Sequence, residues 1–204
     1  NMDNILFAAS TLISALITWL IVPKIRDIGI RFRLIDIPDK RKQHIEPLVR
    51  LGGIAIFLGF VISYLVLTGL GNNYLSYPLL EPRMQFMLIG ASLFFITGLA
   101  DDLLNLSPIK RLFFQFFIAS IIVSQGFIFK LVNFSIFSEI LPSISIGERL
   151  GFLLTLFWIV AITNALNWID GLDGLAAGIS IISCIGFFII GARGGFQLKP
   201  IKPI

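Results

Sequence analysis

The chain has 204 residues, of which 56% are hydrophobic and 13% aromatic, and its mean hydropathy is +0.92. A soluble domain of this length carries fewer apolar residues, so the composition indicates a protein with several membrane spans. The net charge of +4 is small, and nothing about it requires a nucleic-acid partner. With a single cysteine, Cys184, these residues cannot form an intrachain disulfide.

Six apolar segments without charged residues are long enough to cross a hydrocarbon core about 30 Å thick. The first lacks the basic region and cleavage site of a signal peptide, so we interpret it as a mature span. We predict an all-α fold, a polytopic membrane bundle of six transmembrane helices forming a single domain over residues 1–204. The predicted spans are Ile5–Val22, Leu51–Leu70, Met84–Ala100, Leu112–Phe129, Leu150–Ile169 and Gly174–Ala192.

Positive charge is concentrated on alternate connections between these spans. The first-to-second and third-to-fourth connections carry ten Lys or Arg residues, and the opposite connections carry three. Because such residues are enriched in cytoplasmic loops, we predict that the basic connections and the fifth-to-sixth connection are cytoplasmic, with the N-terminus outside. The outside connection from Lys130 to Arg149 contains Pro142 and is interpreted as a short hairpin or an interfacial segment.

Three cytoplasmic segments collect polar residues that are costly in a membrane protein. They are DIPDKRKQHIEPLVRLGG from Asp36, LADDLLNLSPIKR from Leu99 and NALNWIDGLDG from Asn164. In the second, Asp101 and Asp102 end a span, where the helix dipole disfavours each carboxylate by about 0.3 to 1 kcal/mol. A metal ion or another cation would make use of this repulsion, whereas the alternative is a hydrated helix end that tolerates both charges.

The third segment carries amide and acidic side chains at helical spacing. If the fifth span stays helical, Asn164, Asn167 and Asp170 step by three and fan over roughly one third of its surface, facing one cavity. Gly171 and Gly174 then free the backbone, which turns the acidic side chains toward a ligand. The alternative is an Asx-rich helix cap followed by an Asp-Gly turn, but it leaves the second asparagine and both aspartates unexplained.

Carboxylate and amide oxygens beside a phosphorylated substrate suit Mg²⁺, with Mn²⁺ as the alternative. In the first loop, His44 lies among basic residues and as a single loop histidine is more often a solvated bystander. The basic residues of this loop, Lys40 among them, act by default as topology determinants that touch anionic lipid. Beside Asp39 and before Gly52 and Gly53, they are also suited to holding a diphosphate at the membrane.

These three segments, in this order and on one side, resemble the polyprenyl-phosphate N-acetylhexosamine-1-phosphate transferases of glycosyltransferase family 4. The resemblance extends from about Pro23 to Ala192, and the third segment is its most specific motif. The first loop, with His44 and RLGG, is more similar to the branch that uses UDP-N-acetylglucosamine and undecaprenyl phosphate. A sister branch, which acts on UDP-N-acetylmuramoyl-pentapeptide, is the alternative.

The resemblance implies a Mg²⁺-dependent transfer of a sugar phosphate from a UDP-sugar to a polyprenyl phosphate, with release of UMP, at the cytoplasmic face of a bacterial plasma membrane. A second copy of the chain is a candidate partner. Asp101 and Asp102 take the role of the paired aspartates, one of them the base that keeps the lipid phosphate ionised. The other residues implied at the site are Asp170 and Asn167 at the metal, Asn164 supporting that centre, Asp173 and Gly174 near the nucleotide, and Lys40, His44 and Lys110 at the substrates.

Members of this family run to about ten or eleven spans and carry a later aspartate and a histidine-rich loop. The present residues contain neither, so we expect a fragment or a truncated product that is inactive alone. An alternative interpretation, from a different functional class, is that the protein is a transporter whose acidic and amide groups relay ions. Against it, the acidic residues cluster at one face, whereas transporters bind near the middle of the membrane.

Overall fold

The structure, a computed structural model, describes residues 2–36, 48–49, 51–71, 82–128, 131–132, 144–145, 147–171 and 174–190. Every long element in these residues is an α-helix. Four helices contain segments that are long and apolar enough to cross a membrane: Ile5–Arg31, Gly52–Gly69, Met84–Leu104 and Glu148–Ile169. The predicted class, an all-α polytopic membrane protein, is therefore confirmed.

Each predicted span corresponds to a helix, although the boundaries differ. The helices are α1 (Met2–Arg31), α2 (Gly52–Gly71), α3 (Pro82–Leu104), α4 (Pro108–Ser124), α5 (Glu148–Ile169) and α6 (Leu175–Ile190). The prediction extended α4 to Phe129, but a turn at Gln125 and Gly126 ends it earlier, and Gly126 has a φ of 91° that helices do not contain. With 17 and 16 residues, α4 and α6 are the shortest helices described.

The first helix runs nine residues past its predicted end and stops at a Schellman motif. Arg33 adopts a left-handed φ of 56°, its N–H bonds to the carbonyl of Ile30, and the N–H of Leu34 bonds to the carbonyl of Gly29. Two short strands follow, β1 (Ile35–Asp36) and β2 (Leu48–Val49), paired antiparallel with Ile35 opposite Val49. The two ends of the basic loop therefore meet beside the end of α1.

A second short hairpin lies on the connection between α4 and α5. Strand β3 (Leu131–Val132) pairs antiparallel with β4 (Ile144–Ser145), with Leu131 opposite Ser145. Of the two interpretations of this connection, the structure supports the hairpin.

Contacts divide the chain into two units, Asn1–Phe157 and Trp158–Ile204. The first unit contains an antiparallel pair formed by α1 and α2. The hydroxyl of the buried Ser63 donates a 2.6 Å hydrogen bond to the carbonyl of Ser10, and Gly59 lies against Thr18 so closely that a Cβ would overlap it. Small residues let two backbones approach in a membrane, where the hydrophobic effect does not drive helices together.

The remaining helices of the first unit pack through glycine and aromatic contacts. Gly90 of α3 makes room for Ile122 of α4. The rings of Phe57 and Phe95 stack with centroids 4.0 Å apart, which joins α2 to α3, and the rings of Phe116 and Phe157 meet edge to face at 5.3 Å, which joins α4 to α5.

The second unit contains the later part of α5, a turn and α6. The backbone N–H of Asp170 still bonds to the carbonyl of Leu166, one turn back in α5. The helix that follows begins after Gly174, whose carbonyl accepts the N–H of Gly178. The prediction of a single domain over residues 1–204, and of an N-terminus on the outside, stays a prediction.

Candidate functional site

The end of α3 presents its two aspartates in different directions. Neighbouring helical residues point about 100° apart. Asp101 continues the stripe of Gly90, which faces α4, whereas Asp102 continues the stripe of Phe95, Gly98 and Leu99, which lines a cleft against α2. The expected position of both carboxylates at a helix C-terminus is therefore observed, and the structure separates their surroundings.

Asp101 forms an ion pair with Arg111. In the sequence, Arg111 contributes only to the count of basic residues that predicts which connections are cytoplasmic. Nη1 of Arg111 donates a 2.9 Å hydrogen bond to Oδ2 of Asp101, and about three quarters of each side chain is shielded from solvent, with 25% and 22% exposed. One feature of the sequence does point to this ion pair. Arg111 lies in the first turn of α4 and Asp101 in the last turn of α3, each at the helix end that disfavours its charge.

The connection between α3 and α4 sets this geometry. Asn105 ends α3 with a left-handed φ of 50°, and its N–H bonds to the carbonyl of Asp101 at 2.8 Å. Ser107 then caps α4, accepting the N–H of Lys110 at 3.5 Å, and Pro108 takes the first helical position. This tight connection turns the chain back so that Arg111 lies opposite Asp101.

Asp102 lines an open cleft of about 160 Å³ between α2 and α3. The other lining residues are apolar or glycine: Leu51, Gly53, Ile54, Phe95, Gly98 and Leu99. A Cβ added to Gly53 or Gly98 would meet no described residue within 4 Å, so these two glycines leave the space open. The cleft thus combines an apolar wall with one carboxylate at the end of a membrane helix.

Lys110 is exposed in the first turn of α4, on the same short connection as the Asp101–Arg111 pair. A lysine beside free helix N–H groups offers positive charge to a phosphate. The other two predicted basic-loop residues, Lys40 and His44, lie outside the described residues.

In the second unit, α5 stays helical as expected through Asn164 and Asn167, and Asp170 follows in the turn. The three positions therefore fan over one side of the helix end. Nδ2 of Asn164 donates a 2.8 Å hydrogen bond to the carbonyl of Val160, which fixes this side chain along the helix. Asn167 and Asp170 are exposed.

The sequence predicts that Gly171 and Gly174 free the backbone after α5, and the structure shows an unusual backbone conformation at one of the two. Gly174 has a φ of 78°, a conformation that L side chains rarely adopt, whereas Gly171 has no positive φ. Asp173 lies outside the described residues. Whether Asp170 approaches Asp101 and Asp102 stays a prediction, because these residues belong to different units.

Each unit has exposed oxygen donors of the kind that Mg²⁺ takes. They are the carboxylate of Asp102 in the first unit, and the carboxylate of Asp170 and the amide of Asn167 in the second. Within each unit, the described residues contain no group of three or more His, Cys, Asp or Glu side chains that could hold a metal ion. Mg²⁺ does not need such a group, because it keeps several waters and commonly takes only one or two protein carboxylates together with substrate phosphates.

Comparison with known proteins gives consistent matches. The model of the family described as glycosyl transferase family 4 matches residues 84–201, a range that contains both the aspartate pair and the end of α5. The chain is 36% identical over 187 residues to a Bacillus subtilis protein named "Probable undecaprenyl-phosphate N-acetylglucosaminyl 1-phosphate transferase", covering 90% of this chain and 48% of the relative.

Two further relatives carry related names. The chain is 32% identical over 189 residues to an undecaprenyl-phosphate alpha-N-acetylglucosaminyl 1-phosphate transferase of Salmonella typhi, covering 88% of this chain and 46% of that protein. It is 29% identical over 178 residues to a decaprenyl-phosphate N-acetylglucosaminephosphotransferase of Mycolicibacterium smegmatis, covering 87% and 43%.

The chain spans about half the length of the curated relatives it matches. No solved structure matches it. The family model, however, covers more than half of the chain, including α3, α4, α5 and α6. The chain therefore belongs to glycosyl transferase family 4.

Proposed function

We propose that the protein transfers N-acetylglucosamine 1-phosphate from UDP-N-acetylglucosamine to undecaprenyl phosphate or a similar polyprenyl phosphate, in a Mg²⁺-dependent reaction. The products are a polyprenyl-diphospho-sugar and UMP, and the reaction begins the assembly of a cell-envelope polysaccharide. The observation that carries this proposal is Asp102, an exposed carboxylate lining an apolar cleft at the end of a membrane helix. This placement suits a reaction whose acceptor has an apolar chain and a phosphate head group.

The proposed reaction is a phosphoryl transfer. An oxygen of the lipid phosphate attacks the sugar-bearing phosphorus of the UDP-sugar, an O–P bond forms, and the bond from this phosphorus to the oxygen bridging the two phosphates breaks. UMP leaves with that oxygen and the electron pair. In such reactions catalysis consists mainly of positioning and charge stabilisation, and bound Mg²⁺ would neutralise charge on the diphosphate.

Different residues of this chain position the substrates and stabilise charge. One of the paired aspartates, Asp101 or Asp102, keeps the lipid phosphate ionised for attack. Asp170 and Asn167 supply oxygen donors for the metal, and Asn164, fixed to its own helix, supports them. Lys110 offers positive charge to the phosphates from the first turn of α4. We assign this centre to the cytoplasmic face of the bacterial plasma membrane, because ten of the thirteen Lys and Arg residues on the connections lie on that side.

The test uses the protein as its host makes it, purified in detergent, with UMP release as the readout. The assay supplies UDP-N-acetylglucosamine, undecaprenyl phosphate and Mg²⁺, with Asp170→Asn and Asp102→Asn as matched variants. We expect release that requires the lipid, the metal and both carboxylates. Release only with UDP-N-acetylmuramoyl-pentapeptide would move the protein to the sister branch, and no release with either nucleotide would refute the proposal.

The transporter interpretation gains no support from the described residues. Asp101 and Asp102 lie in the last turn of α3, and Asp170 follows the end of α5. No acidic side chain described in α2 to α6 lies in the middle of a helix, which is where transporters bind their ions.

A further inference from the structure

The Asp101–Arg111 pair is arranged against the preference of both helices. An acidic residue in the last turn of α3 and a basic residue in the first turn of α4 each oppose the local helix dipole. Exchanging the two residues would keep the ion pair and place each charge at its favoured end. Helix stability alone therefore favours the opposite arrangement, which indicates that a carboxylate at position 101 serves another purpose.

The geometry leaves part of that carboxylate available. Oδ2 of Asp101 accepts the hydrogen bond from Nη1 of Arg111. Among the described residues, Oδ1 of Asp101 makes no hydrogen bond, and about a fifth of the side chain is exposed (22%). One oxygen is thus held in place while the other can meet a ligand.

The neighbouring acidic groups have different surroundings, and Arg111 contacts Asp101. Asp102 projects about 100° away, toward the cleft against α2, while Asp101 is held on the α4 side. Two adjacent carboxylates repel each other. The guanidinium of Arg111 offsets part of this repulsion by pairing with Asp101, and it does so without contacting Asp102.

We propose that Arg111 is a positioning residue of the transferase, which fixes the carboxylate of Asp101 in the orientation that the reaction uses. This inference rests on the proposed function. Arg111 acts through the carboxylate of Asp101 and does not itself bind the nucleotide or the lipid. The capped connection from Asn105 to Pro108 holds Arg111 at the required distance from Asp101.

The test compares four changes in the protein as its host makes it: Arg111→Gln, Arg111→Lys, Asp101→Asn, and the exchange of Asp101→Arg with Arg111→Asp. Arg149→Gln is the matched control, because Arg149 also lies in the first turn of a helix but is exposed and has no ion pair among the described residues. Each variant is measured for kcat, for KM of both substrates and for Tm in detergent.

We expect Arg111→Gln to lower kcat by about tenfold or more, with both KM values within about twofold of the parent, because the lost interaction acts on the transition state. Arg111→Lys should recover part of kcat, since a lysine restores the charge but not the planar guanidinium. The exchange should keep a Tm equal to or above that of the parent and yet release almost no UMP. Arg149→Gln should match the parent.

Three outcomes would overturn this proposal. A kcat within twofold of the parent for Arg111→Gln would mean that Asp101 needs no positioning. A large rise in either KM would mean that Arg111 itself binds substrate. Recovery of activity in the exchange would mean that the pair only joins two helices.

If the parent protein releases no UMP at all, the proposed function fails separately. The pair is then tested by a thermal double-mutant cycle, in which Asp101→Asn and Arg111→Gln are combined. If the Tm losses of the two single variants do not add up in the double variant, Arg111 and Asp101 interact and Arg111 still holds Asp101 in place. If the losses are additive, the two residues do not interact and the role of Arg111 is refuted as well.

Discussion

The hydroxyl of Ser63 in α2 donates a 2.6 Å hydrogen bond to the backbone carbonyl of Ser10 in α1, 53 positions earlier. Ser63 is 6% exposed, so this bond lies inside the contact between two membrane helices. Thr18 makes a longer bond of 3.5 Å to the carbonyl of Ala55 in the same pair. Polar side chains that join helices in this way stabilise a membrane protein modestly, because an unfolded chain in the membrane also finds partners.

We predict that Ser63→Ala lowers the free energy of unfolding by about 0.5 to 1.5 kcal/mol, the usual net value of one such hydrogen bond. Thermal unfolding in detergent measures the change. Ser120→Ala is the control, since among the described residues the hydroxyl of Ser120 bonds only within its own helix, to the carbonyl of Phe117. Equal effects of the two substitutions would contradict the role of Ser63 in holding α1 to α2.

Much of this fold is readable from the sequence because lipid imposes a simple requirement. A segment that crosses the membrane must satisfy its backbone internally, so each long apolar segment predicts a helix, and all six predicted spans coincide with one. The end of α4 was misjudged because Phe127, Ile128 and Phe129 continue the apolar pattern, whereas the turn is set by Gly126. Apolarity predicts which segments cross the membrane more reliably than where their helices stop.

The candidate site was predictable in its composition but not in its contacts. Asp101, Asp102 and the fan of Asn164, Asn167 and Asp170 follow from residue type and helical spacing alone. Arg111 was missed because its importance depends on the turn at Asn105, which brings α4 back against α3. Helical periodicity describes one helix at a time, so it cannot predict which side chain of the next helix lies opposite.

The cleft beside Asp102 gives a second prediction, in which added bulk lowers activity without lowering stability. A Cβ at Gly98 meets no described residue within 4 Å, so Gly98→Leu should extend into the cleft and, as a replacement of a helical glycine, raise the unfolding free energy by about 0.5 to 1 kcal/mol. If the acceptor lipid uses this space, kcat/KM for polyprenyl phosphate should fall by about tenfold or more, comparable to the loss of a well-buried apolar contact.

The control for the cleft is Gly186→Leu in α6, where an added Cβ also meets no atom of the described part of the chain within 4 Å. Both variants place one leucine on a membrane helix, but only Gly98 lies beside Asp102. UMP release is measured over a range of lipid concentrations. Unchanged kinetics of Gly98→Leu would show that the acceptor lies elsewhere.

The turn between α5 and α6 gives a third prediction, which depends on backbone conformation. Gly174 has a φ of 78°, and placing an L side chain there costs about 1 to 2 kcal/mol. Gly174→Ala should therefore lower the free energy of unfolding by about that amount, although an added Cβ meets no neighbour within 4 Å in the part of the chain that the structure describes. The measurement is thermal unfolding in detergent.

Gly178→Ala is the matched control, one helical turn further on in α6. Its φ is not positive and its added Cβ also meets none of the described residues within 4 Å, so alanine should stabilise the helix by about 0.5 to 1 kcal/mol. The two substitutions are identical in chemistry and are expected to act in opposite directions. Stabilisation by both would mean that the turn accommodates a side chain at Gly174.

The metal gives the last prediction. Removal of divalent cations with a chelator should abolish UMP release, and added Mg²⁺ should restore it, with Mn²⁺ as a substitute because both take oxygen donors. Asn167→Ala should raise the concentration of Mg²⁺ needed for half-maximal release by about tenfold, the lower end of the effect of losing a group that orients or supports a metal site. Asn133→Ala, between α4 and α5 in the sequence and distant from all the proposed site residues along the chain, is the control and should leave the requirement unchanged. Full activity of the protein after chelation would refute the metal requirement. If Asn167→Ala needs no more Mg²⁺ than the parent, the amide of Asn167 does not belong to the metal site, and Asp170 is then the remaining candidate donor on this turn.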